Sequence, residues 1–143
     1  MYPELMVSPM REELTQLGVQ ELKTAAEVDS ELSAKQGTAM VIVNSICGCA
    51  AGKMRPAVRA ALQNPTRPDH TITVFAGQDR EATEKARSYF AGYPPSSPSI
   101  GILRDGELVY MMQRSDIETS DAQTIALKLA QAFNQFCSKS AVR

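Results

Sequence analysis

Two cysteines separated by a single glycine, Cys47-Gly48-Cys49, close the apolar run of "VIVNSICGCAAGKMRPAV", residues 41–58. Two thiols this close can exchange disulfides. One, as thiolate, attacks a disulfide sulfur and takes half of it as a mixed disulfide; the other then displaces that adduct. Joining the pair across one residue makes a small ring, whose Cα atoms must still reach the roughly 4.4–6.8 Å that a disulfide requires. Gly48 supplies the backbone freedom for it. Such a bridge is strained relative to a Cys-x-x-Cys one and easily opened, so the pair suits exchange better than structural stapling. Thiolates also hold zinc or clusters, and a thiolate metal-binding module is the alternative of another class. A zinc site takes four ligands, however, and beyond this pair only the remote His70 and Cys137 could contribute, so no metal is expected.

The reactivity of the pair depends on the elements that carry it. "TAMVIVNS", residues 38–45, is β-branched and nearly all apolar, as in a parallel strand covered on both faces. Met54, Ala57, Val58, Ala61 and Leu62 then recur as a helix stripe, which puts the cysteines at a strand-to-helix junction. A helix N-terminus carries unpaired N–H groups and about half a positive charge, and so favours thiolate over thiol. Cys47, at the exposed turn, is therefore the expected nucleophile, and Cys49, one step into the helix, the resolving thiol. Lys53 and Arg55 follow within two turns, as thiolate-stabilising cations or as solvated charges. Pro56 removes an N–H and is expected to kink the helix.

The rest of the chain supplies the frame. Ser8 before Pro9 reads as the N-cap of a leading helix that bears Met10, Leu14 and Leu17 and stops at Gly18. "VQEL" at 19–22 is a short strand, after which Thr24 and Glu27 form a capping box for a helix carrying Val28 and Leu32 as far as Gly37. "TITVFAG" is a further strand, preceded by a proline-rich loop in which His70 reads as a solvated side chain. Asp79 is the expected N-cap of "DREATEKARSYFAG", with Gly92 as its stop. "SIGILR" and "ELVYMMQ" flank Asp105-Gly106, a strong hairpin signal, and Ser120 with Gln123 caps a last helix bearing Ile125, Leu129, Phe133 and Phe136. Cys137, four residues after Phe133, reads as a small core residue.

Helices between the first strands require a parallel core, and the final hairpin requires antiparallel pairing. The expected fold class is therefore α/β: a mixed sheet between helical layers, in the element order of thioredoxin plus one N-terminal helix. In open α/β sheets the reactive site lies at the carboxyl ends of strands, where Cys47 and Cys49 fall. With 143 residues, 43% of them hydrophobic, and no linker, a single domain over 1–143 is expected. Fifteen basic residues interleave with 16 acidic ones for a net charge of -1, which argues against a nucleic-acid partner. The start "MYPELMVSPMREEL" lacks a basic stretch followed by an apolar core, and "AMVIV" is far too short to span a bilayer. No membrane partner is expected, and the location is expected to be cytoplasmic.

"VNSICGCAAGKMRPAV", "TVFAGQDREAT" and "PPSSPSIGILRDGELV" closely resemble the bacilliredoxin family, thioredoxin-like proteins with a Cys-Gly-Cys motif, and "MREELTQLG" is similar to the family as well. The resemblance covers nearly the whole chain. It implies reduction of mixed disulfides between proteins and bacillithiol, the low-molecular-weight thiol that certain bacteria use in place of glutathione. Bacillithiol would be the co-substrate, with no bound cofactor, and the partners would be bacillithiolated or disulfide-bonded proteins. Weak disulfide isomerase activity also belongs to this picture, and a general protein disulfide isomerase or oxidant is the nearer alternative. By the same resemblance Cys47 would attack and Cys49 resolve. Pro98 would be a cis-proline facing the motif, and Ser97 before it would present backbone to an incoming chain. Where the family often has a histidine after the arginine of "QRSDIE", this chain has Ser115.

Overall fold

A computed structural model describes residues 1–33 and 36–138 of the chain. At its centre lies β2, Thr38–Asn44, all of whose residues are buried. Its side chains alternate between two cores: Met40 and Ile42 enter one, Val41 and Val43 the other. Burial on both faces is the reason its sequence is apolar without interruption. β3, His70–Phe75, pairs parallel to β2 with Asn44 opposite Phe75, and the two-residue β1, Gln20–Glu21, pairs parallel to the far side of β3. β4, Ser99–Arg104, pairs antiparallel to the other side of β2 with Ser99 opposite Val43, and β5, Glu107–Met112, pairs antiparallel to β4. The sheet order is β1-β3-β2-β4-β5.

Helices cover both faces. α2, Ala25–Leu32, and α4, Arg80–Arg87, pack Val28, Leu32, Ala82 and Ala86 into the core on one side. On the other, α1 (Glu4–Thr15) contributes Leu14, α3 (Arg55–Ala61) contributes Ala57, Val58 and Ala61, and α6 (Ala122–Phe136) contributes Ile125, Leu129, Ala132 and Phe133. Cys137 is buried in this same core, as a small apolar residue. The expected mixed sheet between helical layers is what forms, and the Thr24–Glu27 capping box closes on both sides. Asp105 and Gly106 both take positive φ, 51° and 84°, as the tight hairpin demands.

Several boundaries differ from the sequence reading. Ser8 is no cap: α1 begins at Glu4, and Pro9 lies within its second turn. Asp79 occupies the N-cap of α4, but its carboxylate makes no capping bond; it pairs with the buried Arg11 at 2.7 Å. α4 ends at Arg87, and the chain passes through turns before Gly92, whose φ is +90°. His70 is the first residue of β3 and exposed, rather than part of the preceding loop. Asp121, not Ser120, caps α6, accepting from the Thr124 amide at 2.7 Å, and a short helix not read from the sequence, α5 (Arg114–Glu118), precedes it. The expected course of α2 toward Gly37 crosses residues 34–35, and the expected domain runs on to 143; both stretches lie outside the described residues.

Candidate active site

β3 runs parallel to β2, and β4 runs antiparallel to it, so the end of β2, the end of β3 and the start of β4 lie together at one edge of the sheet. β5 reverses again and brings its own end to the same place. Four loops therefore converge there: the turn carrying Cys47-Gly48-Cys49, the Ala76-Gly77 turn, the Ser97-Pro98 segment and the start of α5. This is the carboxyl-end position at which open α/β sheets place their sites. The Ser97–Pro98 peptide bond is cis.

The strand-to-helix corner is held from below by Arg55. Its guanidinium is 2% exposed and donates to Asn44 Oδ1 and Ser45 O, each at 2.9 Å, and to Glu13 Oε1 at 2.9 Å. Asn44 in turn accepts from the Ser45 amide at 2.9 Å and donates to Met10 O at 3.2 Å. Arg55 is thus neither a solvated charge nor a partner of the thiolate; it ties α1 to the end of β2. Lys53 donates to Glu118 O at 2.7 Å. Between the cysteines and α3 the helix runs as a π-turn over Ala50–Met54, in which the Arg55 amide reaches back to Ala50 O. Pro56, which cannot donate, sits in the first turn of α3, directly after that widened turn.

Both site cysteines are free thiols, half-buried and unequal. Burial pushes the Cys47 thiol up, but the Ser45 hydroxyl, the Ala50 and Cys49 amides and the positive charge of Arg114 together outweigh it, and its pKa falls below the ordinary thiol value. Cys49 moves the other way: burial, the negative charge on Cys47, a hydrogen bond given to that sulfur and the nearby Glu118 carboxylate all hold it protonated. Its Sγ lies 3.9 Å from Glu118 Oε2. The two sulfurs are thus displaced in opposite directions by their surroundings.

Arg114 is one residue that sequence reasoning missed. It opens α5, where Gln113 and Asp116 form a reciprocal capping box. Its amide donates to Ser96 Oγ and its Nη1 to Ser97 O, each at 3.3 Å, and its Nε pairs with Glu118 at 3.4 Å. The Gln113-x-x-Asp116 spacing was the available signal. Gly48 holds a surprise of the opposite kind. Its φ lies outside the left-handed region, and a Cβ built there meets nothing within 4 Å among the described residues, so the free-thiol form does not itself require glycine.

Comparison with known proteins shows the family and the fold. Residues 2–137 match the family described as Disulphide isomerase. A protein named Bacilliredoxin from Koribacter versatilis is 61% identical over 99% of this chain and 97% of its own length, and another from Geobacillus kaustophilus is 47% identical over 95% and 94%. The chain belongs to the bacilliredoxin family. Solved structures show the fold: oxidised thioredoxin from Plasmodium falciparum superposes with a TM-score of 0.57 at 20% identity, covering 84% of this chain and 99% of that one. Thioredoxin O2 from Arabidopsis thaliana does so with 0.55 at 17% identity, covering 86% and 97%. The fold is thioredoxin-like, and family and fold together support a thiol–disulfide oxidoreductase.

Proposed function

We propose that this chain removes bacillithiol from protein mixed disulfides in the cytoplasm, with Cys47 as nucleophile, Cys49 as resolving thiol, and bacillithiol as co-substrate in place of any bound cofactor. The observation that carries this reading is the opposite displacement of the two thiols: Cys47 is held toward thiolate while Cys49 is held as thiol. In the first step the Cys47 thiolate attacks the bacillithiol sulfur, the protein–bacillithiol S–S bond breaks, and the protein leaves as a thiolate. Two of the causes that keep Cys49 protonated, the charge on Cys47 and the bond given to it, vanish once Cys47 is itself disulfide-bonded. Cys49 is thereby released to attack only after Cys47 has been consumed, and Glu118 is placed to take its proton. That attack forms the Cys47–Cys49 disulfide and expels bacillithiol as thiolate; a further bacillithiol can release the adduct instead. Gly48 would serve the strained ring of the bridged form, and Ser97 would pair with the substrate chain through its N–H, since its carbonyl accepts from Arg114.

A second reading, general disulfide isomerisation, is favoured by the description of the matching family. Two serine variants separate them. Incubated with a bacillithiolated protein and followed by intact mass, Cys49→Ser should free the substrate and retain one bacillithiol, whereas Cys47→Ser should leave the substrate modified. Activity confined to Cys47→Ser would reverse the roles. A wild type that leaves bacillithiol in place yet reshuffles scrambled disulfides would establish the isomerase instead.

A further inference from the structure

Beside Cys47 the converging loops leave a groove of about 340 Å³, walled by Tyr2, Ser45, Gly77, Arg87, Ser97 and Arg114. Two of its lining residues are guanidinium-bearing and none is a carboxylate. Arg87 stands out among the arginines. Among the described residues its Nε is buried with no hydrogen-bond partner, and its Nη2 reaches a backbone carbonyl, Ser96 O, at 3.3 Å. Arg11 and Arg55, by contrast, are both buried against carboxylates. Burial lowers the pKa of Arg87, and Glu84 on the same helix offsets this only through longer-range attraction. Arg87 as a whole is only half-buried, so the rest of its fork stays available to the groove while the unmatched Nε leaves its charge uncompensated from within the fold. Tyr2, in the groove wall, is pinned by two bonds to Gln78, its amide giving to Oε1 at 2.9 Å and its carbonyl taking from Nε2 at 2.7 Å.

We propose that this groove is a carboxylate-binding subsite in which Arg87, with Arg114 beside it, holds the small-thiol half of the mixed disulfide when that thiol bears carboxylates. The fork of an arginine matches a carboxylate, and a groove of this volume admits a small molecule rather than a folded partner. The location also fits: after Cys47 attacks, the small thiol is tethered to Cys47, which lines the same groove. The assignment rests on the reading that Cys47 accepts the small thiol, and it narrows that thiol to an anionic class, which includes bacillithiol.

The test uses one carrier peptide whose cysteine is capped by mercaptosuccinate, with two carboxylates, or by mercaptoethanol, with none. Wild type should show a kcat/KM for the mercaptosuccinate cap about tenfold above that for the mercaptoethanol cap, carried mainly by KM and diminishing at high salt. In Arg87→Gln this ratio should fall toward one, and Arg87→Lys should recover part of it. A wild-type ratio near one overturns the proposal, whatever the variants do, as does a variant that slows both caps equally. Repeating the series with an acidic residue beside the peptide cysteine separates the other source of carboxylate: a dependence on Arg87 that follows the peptide rather than the cap assigns the groove to the protein half and overturns the proposal. Failure to release either cap sinks the exchange reading itself, and is distinct from release without selectivity.

Discussion

Cys47 owes its acidity to neighbours that can be removed one at a time. Arg114 contributes a positive charge and no covalent constraint, so Arg114→Ala should raise the Cys47 pKa, while Glu118→Gln should lower that of Cys49 by deleting a negative neighbour. The rate of the first exchange follows the thiolate fraction of Cys47. It should therefore rise with pH through a midpoint below the ordinary thiol range in wild type, and that midpoint should move upward in Arg114→Ala. Thiolate absorbance against pH, measured in single-cysteine backgrounds, checks both shifts; an unmoved Cys47 in Arg114→Ala would assign its acidity to Ser45 and the amides alone.

At the scale of elements, the cysteine turn is only as fixed as the corner beneath it. Arg55 joins the end of β2 to α1 through Asn44, Ser45 O and Glu13, and each of these groups loses its bond to the guanidinium in Arg55→Met, although Asn44 keeps the Ser45 amide. Removing one partner from a buried polar network costs about 3 kcal/mol, because what remains is desolvated and unsatisfied. Urea denaturation should show a loss of that order, with the slope unchanged, and the Cys47 pKa should drift upward as Ser45 loosens. A loss under about 0.5 kcal/mol, the range of ordinary surface substitutions, would mean the network is not what holds the turn.

Across the whole molecule, Arg11 links three elements: 5% exposed, it pairs with Glu4 of α1, Glu21 of β1 and Asp79 at the head of α4, and lies 5.2 Å from the centre of the Phe75 ring. Desolvation works against its charge, but the three carboxylates prevail and its pKa is raised. Arg11→Met keeps the volume and strands the half-buried Glu21 and Asp79. It should destabilise by about 3 kcal/mol, less about 1 kcal/mol recovered if Asp79 turns to cap α4. The paired variant Arg11→Met with Asp79→Asn should lose less than the sum of the singles, and strict additivity in a double-mutant cycle would show that the two do not share one network.

What the sequence determined by itself is local. The burial of "TAMVIVN", the capping box at Thr24 and Glu27, the hairpin at Asp105-Gly106 and the strand-to-helix position of Cys47 and Cys49 all follow from patterns that span a few residues, because period, capping and turn chemistry act at that range. The partners of charged side chains do not. Arg11 meets Asp79 across 68 positions and Lys53 meets Glu118 across 65, brought together by sheet register that no single segment encodes. For that reason Asp79 reads as a cap and serves as an ion-pair partner, and Arg55 reads as a surface cation and lies buried. Arg114, invisible as a site residue in the sequence, reaches the groove beside Cys47 because antiparallel β4 and β5 return the chain to the place where β2 ends, and Arg87 joins it there from the last position of α4.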